Sequence, residues 1–324
     1  NGADGETLDQ FREVLGDGAS LEALNVSCSA LMKLYGGLGG STECSIANSL
    51  WTDPEGRMQE DFVGRCSGIF DAQVFQEDLS APVIVPALNS WVSDHTAGMI
   101  PQIIQRPFGE DAAALMVNAL YLKNTWATKF DPSDTVTRDF TRADGTAEPL
   151  DFLQHFSRSL TYLQSGSDEG VLLPYDDGRL AFFALMPRQS SGVPDFERWL
   201  SSLTGEGLSA LLSGREETFF LRLSLPKFEQ EWSGELKDAL AALGLTDAFD
   251  PDLADFSLLG DDPRGYYLSQ VIHAARIEVN EEGTEAAAAT VVAAASGAAP
   301  PQEGVTLIFD RPFLYGIVDL QNGV

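Results

Sequence analysis

The side chains best suited to catalysis are scattered along this chain, and none falls in a known catalytic spacing. Its three histidines, His95, His155 and His273, are far apart, and no H-E-x-x-H pair, G-x-S-x-G elbow or glycine-rich phosphate loop occurs. The acidic pairs at 176–177 and 261–262 sit beside glycine or proline, so we interpret them as solvated turn residues. Distant residues can still meet in space, but the sequence favours binding or conformational chemistry and predicts no enzyme activity.

The cysteines and the charge narrow the possible ligands. Cys28, Cys44 and Cys66 form no C-x-x-C pair, so we interpret them as small buried hydrophobic residues and expect no metal and no cofactor. The 49 acidic residues against 20 basic ones give a formal charge of −29, which repels nucleic acids and anionic membranes. No run of eighteen apolar residues occurs, so we expect no membrane partner.

The apolar period changes along the chain and predicts an α+β fold. Helical spacing marks "TLDQFREVLG", "LEALNVSCSALMKLYGG" and "NSWVSDHTAGMI" in the first third, whereas a period of two dominates from Ala112 onward. The nearly continuous apolar run "ALMVNALYLKNTW" predicts a strand buried on both faces in a large sheet. The "DDG" link at 176–178 predicts a hairpin that joins Leu172 and Leu173 to Phe182 and Phe183.

An alanine-rich segment, "EEGTEAAAATVVAAASGAAPP" at 281–301, joins two predicted strands, "YYLSQVIHAARIEVN" and "VTLIFD". Its glycines, valines and prolines disfavour a helix, and it is long for a loop inside a compact domain. One set of alternate positions is uncharged and either small or β-branched: Thr284, Ala286, Ala288, Thr290 and Val292. Glu285 belongs to the other alternating set. This pattern suits a segment that adds to a sheet as a new strand.

Several stretches, in this order, resemble the serpin family: "IANSLW", "VNALYLKNTWATKF", "VNEEGTEAAAAT" and "FDRPFLYGIV". The resemblance covers essentially the whole chain. It implies one serpin domain over 1–324, with three β-sheets, eight or nine helices and a reactive-centre loop at 281–304. It also implies a suicide substrate: a serine or cysteine protease cuts the loop, which inserts into the large sheet and traps the covalently bound protease.

The resemblance assigns roles within the loop. The hinge that enters the sheet first matches the inhibitory pattern, with Gly283 as a flexible pivot, and comprises Gly283, Thr284, Glu285, Ala286, Ala287, Ala288, Ala289 and Thr290. A forward count places the cleaved bond at Gly297–Ala298, with Ala295 and Ser296 as alternatives, whereas a count back from Pro312 places it about four residues later. These residues are small, so we expect an elastase-like or subtilisin-like target rather than a trypsin-like one.

The resemblance also assigns residues in the body of the protein. Asn118 and His273 match a polar pair that steadies the gate in the large sheet, and Trp126 matches a tryptophan where insertion begins. The segment after Leu21 corresponds to a helix that binds heparin in some relatives, but it carries only Lys33, so we expect no heparin activation. We expect a monomer that is secreted or extracellular, with the cytoplasm as the alternative.

The chain departs from the family pattern at both ends. The first helix, an edge strand, most of the second helix, the serine partner of His273 and the last core strand are not in this sequence. We therefore interpret the chain as a piece of a longer protein or as a form that folds poorly. The alternatives to an inhibitor are a non-inhibitory serpin with a carrier, storage or chaperone role, and an inactive truncated product.

Overall fold

Helices predominate in the first hundred residues and strands predominate after them, as the change in apolar period predicts. The computed structural model describes residues 1–39, 41–157, 160–166, 168–188, 193–213, 215–216, 220–262, 265–284 and 304–323. Within these residues the α-helices are α1 Gly5–Gly16, α2 Leu21–Gly36, α3 Glu60–Phe70, α4 Ile84–His95, α5 Val193–Ser202, α6 Gly205–Ser213 and α7 Lys237–Ala242, and two 3₁₀ turns span Pro132–Asp134 and Asp247–Phe249.

Seventeen strands lie in the same described ranges. They are β1 Glu43–Thr52, β2 Arg57–Met58, β3 Ala72–Gln76, β4 Ala114–Thr125, β5 Val136–Thr141, β6 Ala147–Ser157, β7 Thr161–Ser165, β8 Asp168–Pro174, β9 Leu180–Pro187, β10 Arg215–Glu216, β11 Leu221–Pro226, β12 Phe228–Glu235, β13 Gly260–Asp261, β14 Leu268–Val279, β15 Gly283–Thr284, β16 Val305–Ile308 and β17 Leu314–Asp319.

The chain divides into two units. The first comprises 1–38, 43–122 and 230–276, and the second comprises 39–42, 123–229 and 277–324. In the first unit the main sheet has the order β12-β14-β4-β1-β3, in which β14 runs parallel to β4 and β1 runs parallel to β3. The second unit holds a five-stranded sheet, β10-β7-β8-β9-β17, and a four-stranded sheet, β16-β11-β6-β5.

The two faces of β4 differ, and one sequence prediction about them is wrong. Leu115, Val117 and Ala119 are buried in a core that includes residues of α4. On the other face, Met116 and Leu120 are 42% and 36% exposed, so β4 is not buried on both faces. An apolar run does not reveal which face is covered, because exposed apolar side chains are common on folded proteins.

The antiparallel part of the fold follows its turn chemistry. The predicted hairpin is confirmed, because β8 and β9 pair Leu172 with Phe183 and Leu173 with Phe182.

Three larger sheets form, as predicted, and β13 with β2 makes a fourth, two-stranded pair. The described residues hold seven α-helices, against the eight or nine expected. No helix among these residues has the length and apolarity needed to cross a membrane.

Candidate functional site

Three polar side chains of the first unit form a hydrogen-bonded row across neighbouring strands, which we call the relay. They are Asn48 of β1, Asn118 of β4 and His273 of β14. His273 Nδ1 lies 2.7 Å from Asn118 Oδ1, and Asn118 Nδ2 donates to Asn48 Oδ1 at 2.8 Å. The structure therefore brings together the predicted pair of Asn118 and His273.

Backbone carbonyls fix the direction of every hydrogen bond in the relay. Asn48 Nδ2 donates to the carbonyl oxygen of Phe70 at 3.0 Å, which leaves Asn48 Oδ1 as an acceptor. Asn118 Nδ2 also donates to the carbonyl oxygen of Ala47 at 3.3 Å, so Asn118 Oδ1 must accept from His273. Burial lowers the pKa of His273 below 6.5. At neutral pH its imidazole is therefore uncharged and carries its proton on Nδ1.

Asn48 was missed by sequence reasoning, although a signal was present. In β1 it lies two residues from both Ile46 and Leu50, so a lone amide shares a strand face with apolar side chains. Such an amide needs a hydrogen-bond partner when it is packed inside a protein. Trp232 completes this region, with its ring centroid 5.6 Å from that of His273.

In the second unit, the chain reverses after β14 and returns as the short strand β15. Thr284 pairs with Val279 of β14, and on the other side Gly283 and Thr284 pair antiparallel with Thr125 and Asn124 of β4. The first two residues of the predicted hinge are thus already a strand of the sheet. Its remaining residues, 285–290, and the candidate cleavage residues Ala295, Ser296, Gly297 and Ala298 lie outside the described residues.

Trp126 holds the turn that precedes β15. Its indole Nε1 donates to the carbonyl oxygen of Asn280 at 2.8 Å, and its backbone N–H donates to the carbonyl oxygen of Glu282 at 3.0 Å. Phe130 N donates to the carbonyl oxygen of Glu281 at 3.0 Å. Trp126 is only 2% exposed, so its contacts fix the turn from inside the protein. The structure thus places Trp126 beside the start of the hinge.

Two ion pairs hold the carboxylates of the turn. Lys227 Nζ lies 3.0 Å from the Glu281 carboxylate, which also accepts from Thr135 Oγ1 at 2.9 Å, and Lys129 pairs with Glu282. Burial alone would raise the pKa of Glu281, but the hydrogen bonds from Lys227 and Thr135 and the Lys227 charge outweigh it. The pKa of Glu281 is therefore below its ordinary value of 4.5 and the carboxylate stays ionised at neutral pH.

Thr284 is fully enclosed, at 1% exposure. Its Oγ1 lies 2.5 Å from the hydroxyl of Tyr175, whose ring stacks on Trp126 with centroids 4.9 Å apart. Burial raises the pKa of Tyr175, so its hydroxyl stays protonated and can donate a hydrogen bond. A small polar side chain fits this position, whereas a large or charged one would not.

Gly283 has a steric role in the described conformation. It has no positive φ, but an added Cβ would overlap the carbonyl oxygen of Asn124 and crowd the Cα of Thr125. The glycine therefore allows the backbone of β15 to pass close against β4. In this conformation Gly283 is buried and paired with Thr125 of β4, and its role as a flexible pivot stays a prediction.

The family model described as "Serpin (serine protease inhibitor)" matches residues 1–324. The chain belongs to the serpin family. Serpin-Z2B of Triticum aestivum is 31% identical to it, over 100% of this chain and 83% of the relative. Plasminogen activator inhibitor 1 of Neovison vison is 32% identical, over 96% and 77%.

The fold of this chain is also similar to solved serpin structures. The thermophilic serpin tengpin in its native state gives a TM-score of 0.90 at 30% identity, covering 99% of this chain and 81% of tengpin. Tengpin in its latent state gives a TM-score of 0.80 at 28% identity, covering 100% and 84%. The predicted serpin fold is confirmed, and the family to which this serpin belongs is one of protease inhibitors rather than enzymes.

The acidic pair at 176–177 lies in a turn of this serpin, as predicted, but only Asp176 is exposed, whereas Asp177 is partly buried. Asp177 Oδ1 accepts from the backbone N–H groups of Arg179 and Leu180, while its Oδ2 accepts from Asn124 Nδ2 at 2.6 Å and from Thr42 Oγ1 at 2.8 Å. Burial opposes ionisation, but these donors lower the pKa of Asp177. Asp177 thus ties the β8–β9 turn to Asn124, the residue opposite Thr284.

The cysteines and His95 of this serpin were the other candidates for reactive side chains. Cys66 is buried as predicted, but Cys28 and Cys44 are partly exposed, and burial of its thiol raises the pKa of Cys44 to about 11. His95 Nδ1 lies 2.7 Å from the carbonyl oxygen of Trp91, one turn earlier in α4. Over the described ranges, no three histidine, cysteine or acidic side chains group as a metal site.

The first prediction concerns His273. Its pKa is lowered in the folded protein, so below pH 6.5 the unfolded chain takes up the proton first and stability falls as the pH falls. Replacement by glutamine removes this contribution, so H273Q should lose less stability than the wild type between pH 7.5 and 5.5. Urea unfolding at both pH values measures this, and equal losses would contradict the assigned protonation state.

The second prediction concerns Gly283. G283A should lower the free energy of unfolding by about 1–3 kcal/mol, because the new methyl group overlaps backbone atoms of β4 that cannot move freely. The matched control is G64A in α3, where a Cβ meets nothing within 4 Å and where alanine should raise stability by about 0.5–1 kcal/mol. Urea unfolding compares the two variants, and a neutral G283A would rule out the steric explanation.

Proposed function

We propose that this serpin inhibits a protease as a suicide substrate, with segment 281–304 as the bait and the sheet between β4 and β14 as the acceptor. The observation that carries the proposal is β15, whose two residues already lie between these strands. This pairing supports the addition of further strand residues at that place.

The register of β15 supports further insertion. Thr284 lies opposite Asn124 on β4 and Val279 on β14. Six residues further along an inserted strand, Thr290 falls opposite Asn118 on one side and His273 on the other. Those two residues are themselves paired in the ladder between β4 and β14. A single extended strand would therefore match both neighbours without a shift in register.

The same count predicts where insertion meets resistance. The ladder between β14 and β4 ends at Ala275 and Leu120, and Ala288 would be the first inserted residue to replace one of its pairs. Residues 285–287 would enter where β4 and β14 have no direct pairing, so the early steps break no ladder bond. At Thr290 the strand would separate Asn118 from His273, and we propose that the relay sets part of the barrier to insertion.

We propose a target with a shallow pocket for small residues, because Ala295, Ser296, Gly297 and Ala298 are all small. The proposed inhibitor acts as a monomer. It acts without heparin, since Lys33 is the only basic residue of α2. The place where it acts is proposed to be extracellular.

A pair of charged substitutions tests insertion. T284R places a guanidinium in a fully enclosed position, and an unpaired buried charge costs several kcal/mol. The variant should be cleaved as an ordinary substrate, with at least a tenfold smaller fraction trapped, since about 1.4 kcal/mol corresponds to a factor of ten. The matched control is E285R, one residue later in the set that would face outward, and it should still trap the protease.

The readout is the ratio of SDS-stable adduct to cleaved inhibitor on a gel. Equal ratios for T284R and E285R would contradict insertion along this register. Absence of adduct with the wild type, together with intact binding, would favour a non-inhibitory serpin.

A second experiment tests the proposed target class. Incubation with pancreatic elastase should give an SDS-stable adduct, and incubation with trypsin should not, because the segment 294–298 offers no arginine or lysine to a trypsin pocket. Mass spectrometry of the released fragment then identifies the cleaved bond, which we expect at Gly297–Ala298. An adduct with trypsin alone would refute the small-residue target.

A further inference from the structure

The exposed face of the four-stranded sheet in the second unit carries a row of side chains at equal height. Phe156 of β6 lies directly opposite Arg222 of β11, and Arg222 lies beside Thr306 of β16. All three are exposed, and Phe220 stacks on Phe156 from the adjacent position. We call these four residues, Phe156, Phe220, Arg222 and Thr306, the Phe156 patch.

The Phe156 patch is preorganised. The rings of Phe156 and Phe220 stack with centroids 4.7 Å apart and planes 18° apart, and the Arg222 guanidinium lies 5.4 Å from the centroid of Phe156. These contacts restrict the side chains before any partner binds, which lowers the entropy cost of association. Phe156 is nonetheless 57% exposed, so most of its surface is available for contact. Aromatic and arginine side chains of this kind carry much of the energy in protein interfaces.

The patch does not serve the core of this sheet. Leu221 and Leu223, which alternate with Arg222 along β11, are fully buried and supply the apolar face. The aromatic pair and the arginine therefore lie on the opposite face of the strand, where polar residues are usual. An exposed aromatic cluster beside a cation is a feature of interaction surfaces.

The patch adjoins the end of the proposed bait segment. Val305 N donates to the carbonyl oxygen of Phe220 at 2.9 Å, and a Cβ on Gly304 would press on Phe220. Thr306 lies eight positions after Ala298, and an extended chain spans at most about 3.5 Å per residue, or about 28 Å in all. A protein interface of ordinary size covers about 800 Å² per partner, which is about 30 Å across. A protease engaged at Gly297–Ala298 is thus within reach of the patch.

We propose that the Phe156 patch is a second contact surface for the target protease, used in addition to the bait segment. The inference rests on the proposed inhibitory function. The matching protease surface would border its active-site cleft and present an apolar side chain for Phe156 and a carboxylate for Arg222. With 49 acidic residues against 20 basic ones, most of this chain repels acidic surfaces, so the Arg222 cation helps to orient such a protease.

The experiment measures binding separately from trapping. Elastase and subtilisin, each with its active-site serine replaced by alanine, are titrated against the wild-type chain and against F156A and R222A. Each variant should weaken binding of at least one inactive protease by roughly tenfold, as expected when a central interface residue is truncated. The control is R138A, which removes an exposed arginine from β5 of the same sheet and should leave the Kd unchanged. Far-ultraviolet circular dichroism confirms that all three variants fold.

The outcomes are distinct. Unchanged Kd values for both patch variants, or no binding of either inactive protease to the wild type, would overturn the patch proposal. Weaker binding of F156A and R222A supports it. If that weakening occurs while active elastase and subtilisin form no SDS-stable adduct with the wild type, the patch stands as a docking surface and the trapping mechanism fails.

Discussion

The parallel pairing of β4 with β14 is the constraint on which the rest of the structure depends. The two strands share a ladder from Leu268 and Ala114 to Ala275 and Leu120, and β15 pairs with both strands beyond the end of that ladder. A strand between two parallel neighbours must match the register of both, and β15 already does so. The ladder thus fixes the level at which every later residue of the hinge would lie, including Thr290 beside Asn118 and His273.

Packing and polar contacts have different roles around this ladder. The hinge start is held by large buried surfaces and by backbone hydrogen bonds, with Trp126 and Tyr175 stacked next to Thr284. The relay is a row of amide and imidazole contacts whose geometry is directional. The energy of a hydrogen bond falls steeply when its atoms shift a short distance, whereas the dispersion energy of stacked rings is a sum over many atom pairs and falls more gradually. These contacts favour a firm anchor at the start of the hinge and a separable junction at the relay.

Sequence reasoning succeeded where chemistry is local. The β8–β9 hairpin followed from its turn residues, and the strand positions followed from alternation. It failed where a third element decides the outcome: the exposed face of β4, the hydrogen bonding of Asp177 and the partnership of Asn48 all depend on neighbours distant in sequence. The pairing of Asn118 with His273 came from family resemblance, because two polar residues 155 positions apart have no local signal. Gly283 was noticed as a glycine, but its close approach to Asn124 is visible only in three dimensions.

The bonds at both borders of segment 285–303 have a consequence for protein engineering. On one side, Asn280 to Thr284 are tied to Trp126, Lys227 and Tyr175; on the other, Val305 is tied to Phe220. At both borders these contacts come from described residues outside the segment. The segment is therefore a replaceable cassette with defined junctions after Thr284 and before Gly304. Libraries of bait sequences can be grafted there while the acceptor sheet and its anchors are left unaltered.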